Sequence, residues 1–186
     1  MIRKAIAMEI GNWRSLFLWV GRRVAGQGPG VQTFSYAKQI APLFWAIVFV
    51  SAIELAVVHL LIPWDTVRLV VLVLSVWGLL FTIGMLASVK VFPHLLDAGG
   101  IRVRYGPGTD IFLPWSDVAS VKARRGGAEV EGAHSVAVMN QTRVAVELRR
   151  PQAFGGEEVG EVRLYADDAR GFVTAANALA EDQGAE

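Results

Sequence analysis

The chain has 186 residues, 53% of them hydrophobic, with six tryptophans, no cysteine and a net charge of +1. The missing cysteine excludes disulfides, thiolate metal sites, iron–sulfur clusters and cysteine nucleophiles. The lack of a basic excess argues against nucleic acid as a partner, and the length suits one ordinary domain with attachments.

The N-terminus opens with Arg3 and Lys4, as a signal peptide would. Glu9, Asn12 and Arg14 interrupt the apolar run, and no small-residue cleavage site follows, so no cleaved signal is expected. Residues 1–24 read instead as an amphipathic helix. Ile2, Ile6, Ile10, Trp13, Leu16, Phe17, Val20 and Val24 share one side. Arg3, Lys4, Arg14, Arg22 and Arg23 share the other, and Glu9 is the one charge on the apolar side. Such a helix lies among lipid headgroups, or packs on the soluble part of the chain or on a partner. "AGQGPG", residues 25–30, begins a linker running to residue 38.

Residues 39–90 read as a two-helix transmembrane hairpin. The apolar runs Ile40–Ile62 and Val67–Val89 each exceed the roughly 20 residues that cross a hydrocarbon core. Only Pro63, Trp64, Asp65 and Thr66 separate them, which forces an antiparallel pair, and Asp65 is placed to cap the second helix. Basic residues gather before the first run and at Lys90 after the second, while the connection carries only Arg68 beside Asp65. The positive-inside rule then puts both termini in the cytoplasm of a bacterium, with the protein multi-pass in its plasma membrane. Phe34, Tyr36 and Trp64 fall near the expected interfaces.

Glu54 sits near the middle of the first run, where a carboxylate costs a few kcal/mol. It is expected to be a neutral hydrogen-bonding group or to be paired. Small residues at Ala52 and Ala56, level with Gly78 and Leu74, suggest a seam packed against Gly78 and Thr82, with His59 on the same side. Glu54 lies about 200 degrees round from Ala52, so it would point outward with Ser51 and Val58 toward another protomer or membrane protein. In the competing arrangement the helix is rotated and Glu54 bonds Ser75 on the second helix.

From residue 91 the pattern alternates. "IRVRY" (101–105), "TDIFLPW" (109–115), "DVASVKA" (117–123), "TRVAVELR" (142–149) and "EVRLY" (161–165) read as half-buried antiparallel strands. "ADDARGFVTAANALAE", 166–181, reads as a closing helix, with Asp167 as N-cap and Phe172, Ala175, Ala176 and Leu179 on one face. The fold class is therefore a membrane α-helical hairpin plus an α+β cytosolic domain.

"GIRVRYG" (100–106), then "LPWSDVASVKARR" (113–125), then a late strand and terminal helix, resembles the bacterial pleckstrin-homology-like domain, a family often joined to one or two transmembrane helices. The resemblance covers 88–182 and rests on turns at Gly100 and Gly106 and the corner Trp115–Val121. It implies a curved antiparallel half-barrel capped by the last helix, and roles in lipid, protein or self-association only loosely. Eukaryotic relatives use a lysine and an alternating basic pair for lipid headgroups. Lys90 with Arg102 and Arg104 fits that pattern, and Lys122, Arg124, Arg125, Arg22 and Arg23 add to the basic count. The other reading is that alternating arginines are the wet face of a strand.

No catalytic constellation emerges. Glu54 and His59 diverge by about 140 degrees, His94 and His134 stand isolated, and neither metal spacing nor a phosphate loop is present. The expectation is a non-catalytic scaffold or accessory subunit without metal, cofactor or evident small-molecule substrate. Its partners would be the bilayer and a protein or a second copy. The alternative is a module that responds to anionic lipid.

Overall fold

The computed structural model describes residues 2–154 and 156–184, with side chains from residue 9 onward. The side chains of Ile2, Arg3, Lys4 and Ile6 lie outside the described residues. The element order is α1 (Ile2–Val20), β1 (Gln32–Phe34), α2 (Ala37–Leu61), α3 (Asp65–Val91), β2 (His94–Asp97), β3 (Gly100–Tyr105), β4 (Thr109–Pro114), β5 (Val118–Gly126), β6 (Ala133–Val136), β7 (Thr142–Phe154), β8 (Glu157–Leu164) and α4 (Ala169–Gly184). A single 3-10 turn, Trp115–Asp117, joins β4 to β5.

The strands form two four-stranded sheets, ordered β1-β2-β3-β4 and β5-β7-β8-β6. All pairs are antiparallel except β6 with β8. Their facing apolar positions make one core. Leu96, Ile101, Val103 and Leu113 come from the first sheet, Val121, Val144, Val146 and Leu164 from the second, and Phe172 and Ala176 from α4. The layout is α+β, with two long apolar helices ahead of most of the strands.

Three boundaries differ from the sequence reading. The segment expected as linker contains β1, which pairs with β2 through Thr33 and Leu95. The two apolar helices are thus inserted between the first two strands of one sheet, and Phe34 packs edge-on to Phe172 with centroids 5.0 Å apart. Asp167 does not cap α4. Its carboxylate accepts from the Lys38 amide at 3.1 Å, at the positive end of α2, while Asp168 accepts from Gly171 at 2.9 Å to close the start of α4. Asp65 is the first helical residue of α3 and pairs with Arg68, leaving Trp64 at the cap position.

The helices pack differently from expectation as well. α1 lies along α3. Asn12 and Ser15 are buried against it, while Ile10, Arg14, Phe17 and Val20 are exposed, so the inward face is neither the apolar nor the basic side. The seam of α2 against α3 is the half-buried series Phe44, Val48, Ser51, Leu55, Val58 and Ile62, spaced by threes and fours. Ser51 and Val58 therefore face inward, and Ala52, Ala56 and His59 are exposed. The expected small-residue seam fails because these bulky side chains fill the contact. A Cβ added at Gly78 would meet no atom within 4 Å, so no close approach occurs there.

Close approach occurs on α1 instead. A Cβ at Gly11 would stand 2.5 Å from Cβ of Pro107, and one at Gly84 would stand 2.7 Å from the Asn12 side chain. Gly11→Ala should lower thermal stability by about 1–3 kcal/mol through overpacking. Gly78→Ala should be neutral or gain up to about 1 kcal/mol from helix propensity. Thermal unfolding of the two purified variants beside wild type checks the contrast.

Candidate functional site

The residues with the most specific chemistry meet where the helices join the sheets. Tyr36, just ahead of α2, is fully buried, and its hydroxyl accepts a hydrogen bond from the Gly106 amide at 2.8 Å. Its ring stacks on Tyr105, with centroids 5.4 Å apart, and lies 5.1 Å from His94. Burial pushes the Tyr36 hydroxyl well above its ordinary range, so it stays a neutral phenol. Ala37, Ile40, Val89, Val138 and Tyr165 complete this second apolar cluster.

His94 opens β2 and is 1% exposed. Its Nδ1 accepts from the Arg104 amide at 3.1 Å, which leaves the ring proton on Nε2 to donate to the Tyr165 carbonyl at 2.9 Å. Burial, opposed by the Tyr165 bond, lowers its pKa from 6.5 to about 4. With both nitrogens engaged and the ring neutral, His94 is a joint between β2, β3 and the chain leaving β8. The sequence shows it only as a lone histidine behind Pro93.

The basic residues are not gathered into one face. Arg104 is buried, and its Nη1 donates to the Ala25 carbonyl at 2.7 Å. Burial lowers its pKa, opposed by Asp110. This side chain ties the segment after α1 to β3, so its assignment to a lipid headgroup site is corrected. Arg102 donates from Nε to Asp110 at 2.7 Å. Lys122 and Arg124, on the other sheet, face Glu147 at 2.9 Å and Glu161 at 3.5 Å. Hydrogen bonds from Ser120 and Lys122 hold the Glu147 carboxyl below its usual range. Lys90 lies over the rings of Trp19 and Trp45, 5.4 and 5.7 Å from their centroids. Arg22, Arg23 and Arg125 are exposed.

On the hairpin, Glu54 is exposed and takes part in none of the ion pairs among the described residues. Ser75 and Thr82 are half-buried on α3, and Thr82 bonds back to the Gly78 carbonyl of its own helix at 3.0 Å. No hydrogen bond joins Ser75 and Glu54 among the described residues. Among the described residues no group of three or more His, Asp or Glu side chains is arranged to hold a metal ion.

Comparisons with family models, curated proteins and solved structures give no match.

The His94 ring makes a pH prediction. The unfolded chain binds this proton below about pH 6.5 and the folded chain only below about 4. Stability is therefore complete above about pH 6.5 and falls on acidification toward pH 4, by roughly 3 kcal/mol in all. His94→Gln should flatten that part of the stability–pH curve. Histidine-selective NMR should show one ring holding its proton on Nε2 down to about pH 4.

Proposed function

We propose that this chain is an integral membrane protein acting as a non-catalytic scaffold or accessory subunit, contacting another membrane protein or a second copy through its apolar hairpin. Support for insertion comes from the exposure of the two long helices. In their most apolar 18-residue windows 0% of α2 and 11% of α3 is buried, where the core helix of a soluble protein would be mostly covered. Ile10, Phe17 and Val20 on α1 are exposed as well, an apolar side that acyl chains would cover while the helix packs along α3. Arg22, Arg23 and Lys90 stand on the sheet side, and Arg68 in the far connection is already paired. That asymmetry supports a bacterial plasma-membrane protein with both termini cytoplasmic. The soluble part, two sheets around one core with a terminal helix across them, fits the pleckstrin-homology-like reading, with the parallel β6–β8 pair as a departure.

The observation that carries the role is Glu54. It is a carboxylate on the outer surface of an apolar helix, turned away from the seam with α3. In hydrocarbon such a group costs a few kcal/mol unless something outside the chain hydrogen-bonds it. The competing role, a basic face that reads anionic headgroups, has less support. Arg104 is buried, and Arg102, Lys122 and Arg124 each face a carboxylate.

Full-length protein purified in mild detergent from its native membrane should run as an assembly larger than the single chain. Glu54→Leu should weaken that assembly about tenfold or more, or 1.4 kcal/mol and above, while Arg102→Ala leaves it intact. Identical lone chains for wild type and Glu54→Leu would overturn the reading.

A further inference from the structure

A shallow groove runs along the outer side of α1, with Ile10, Trp13, Arg14, Phe17 and Arg23 among its lining residues. Its two charged side chains are Arg14 and Arg23. Both are exposed, and neither takes part in an ion pair or side-chain hydrogen bond with the described residues. Ile10, one turn before Arg14, and Phe17, between the two arginines, are exposed as well. The inward side of the same helix is a different one, carried by Asn12 and Ser15.

The groove stands where the surroundings of α3 change. The outer residues of α3 are exposed as far as Leu80, and Leu86 to Val89 are buried. Asn12 bonds the Phe81 carbonyl and abuts Gly84, which sets it at that change and Arg14 beside it. In a bilayer that surrounds the exposed part of the hairpin, this is the level of the headgroups.

We infer that the groove holds one anionic phospholipid of the surrounding leaflet, its phosphate between the Arg14 and Arg23 guanidiniums and an acyl chain over Ile10. Three features select that class. Two guanidiniums on one groove repel each other until an anion sits between them, and their planar donors match phosphate oxygens. The exposed Ile10 and Phe17 beside them favour an anion that carries hydrocarbon over a soluble one. No carboxylate lines the groove, so a zwitterionic head would set its ammonium against two cations. Asp110, in the neighbouring depression that Arg14 also borders, is taken by Arg102. The site is separate from the strand face, where Arg102, Lys122 and Arg124 each face a carboxylate. The inference rests on membrane insertion and not on the accessory role.

The test uses the full chain in nanodiscs of phosphatidylcholine and phosphatidylglycerol in equal parts. Native mass spectrometry of the released protein should show phosphatidylglycerol retained over phosphatidylcholine, one molecule per chain. Arg14→Gln combined with Arg23→Gln should cut that retention at least tenfold. The thermal unfolding temperature of the double variant should match wild type, which separates a lost site from a lost fold. Lys122→Gln, on the strand face, should leave retention unchanged. Equal retention of the two lipids, or retention unmoved in the double variant, would overturn the site. Water-soluble glycerol phosphate competing as strongly as phosphatidylglycerol would assign the groove to free phosphate esters and overturn the lipid. An acidic protein that copurifies with wild type and is lost from the double variant would assign the arginines to that protein instead. A chain that stays outside the discs counts against membrane insertion, and titration of the detergent-held chain with the same two lipids then decides the groove.

Discussion

The rest of the molecule depends on one hydrogen bond between residues 70 positions apart, the Gly106 amide donating to the Tyr36 hydroxyl. Tyr36 is the last residue before α2, and Gly106 begins the turn between β3 and β4. A positive φ of 55° lets Gly106 turn its amide into the buried phenol. The next residue, Pro107, is the surface on which Gly11 of α1 rests. A single turn therefore fixes α1, the start of α2 and the first sheet to one another. Removing the hydroxyl would leave the part-buried Gly106 amide without its partner.

The insertion of the hairpin between β1 and β2 explains why so many ties gather at this level. Both ends of the insertion must return to adjacent strands, so the chain is pinned on each side. Asp167 holds the Lys38 amide at the start of α2, and Ala25 donates to the Val91 carbonyl at the end of α3. Arg104 reaches the Ala25 carbonyl from below. The sheets therefore follow any tilt of the hairpin rather than swing on a linker. A fragment beginning at residue 91 would lack β1 and the Phe34 ring that covers Phe172. An event at the helices is thus coupled to the first sheet by packing and hydrogen bonds, without a mobile connection.

The long apolar helices, the strands around 101–105, 109–114 and 142–149, and the closing helix were legible because each carries a strong period or an unbroken apolar run. β1 and β6 were not, since three or four residues hold no period. β2 was hidden for a different reason: His94, Leu95 and Leu96 are all buried, so both faces of the strand are covered and the alternation disappears. The seam of α2 was misread because a helix apolar all round does not say which side meets its neighbour. Small residues were a reasonable guide, but Leu55 and Val58 occupy the contact. Asn12 was read as an interruption of an apolar run. Its side-chain amide donates to the Phe81 carbonyl and so bonds α1 to α3.

Polar side chains in the helices divide into two kinds, and the division bears on function. Ser15, Thr82 and Ser88 return their hydroxyls to carbonyls of their own helices, at 2.6, 3.0 and 2.7 Å, which lets a polar group sit in apolar surroundings at little cost. Glu54 differs, because an ionised carboxylate only accepts and the helix carbonyls around it are acceptors too; its protonated form alone can donate to one. Bringing Glu54 onto Ser75 would turn Leu55 and Val58, half-buried in the seam, out of it and into hydrocarbon, which forfeits packing contacts rather than exposing apolar area to water. The packing of the hairpin leaves the glutamate on the outer side of α2, and that placement is what the proposed contact with a second membrane chain would answer.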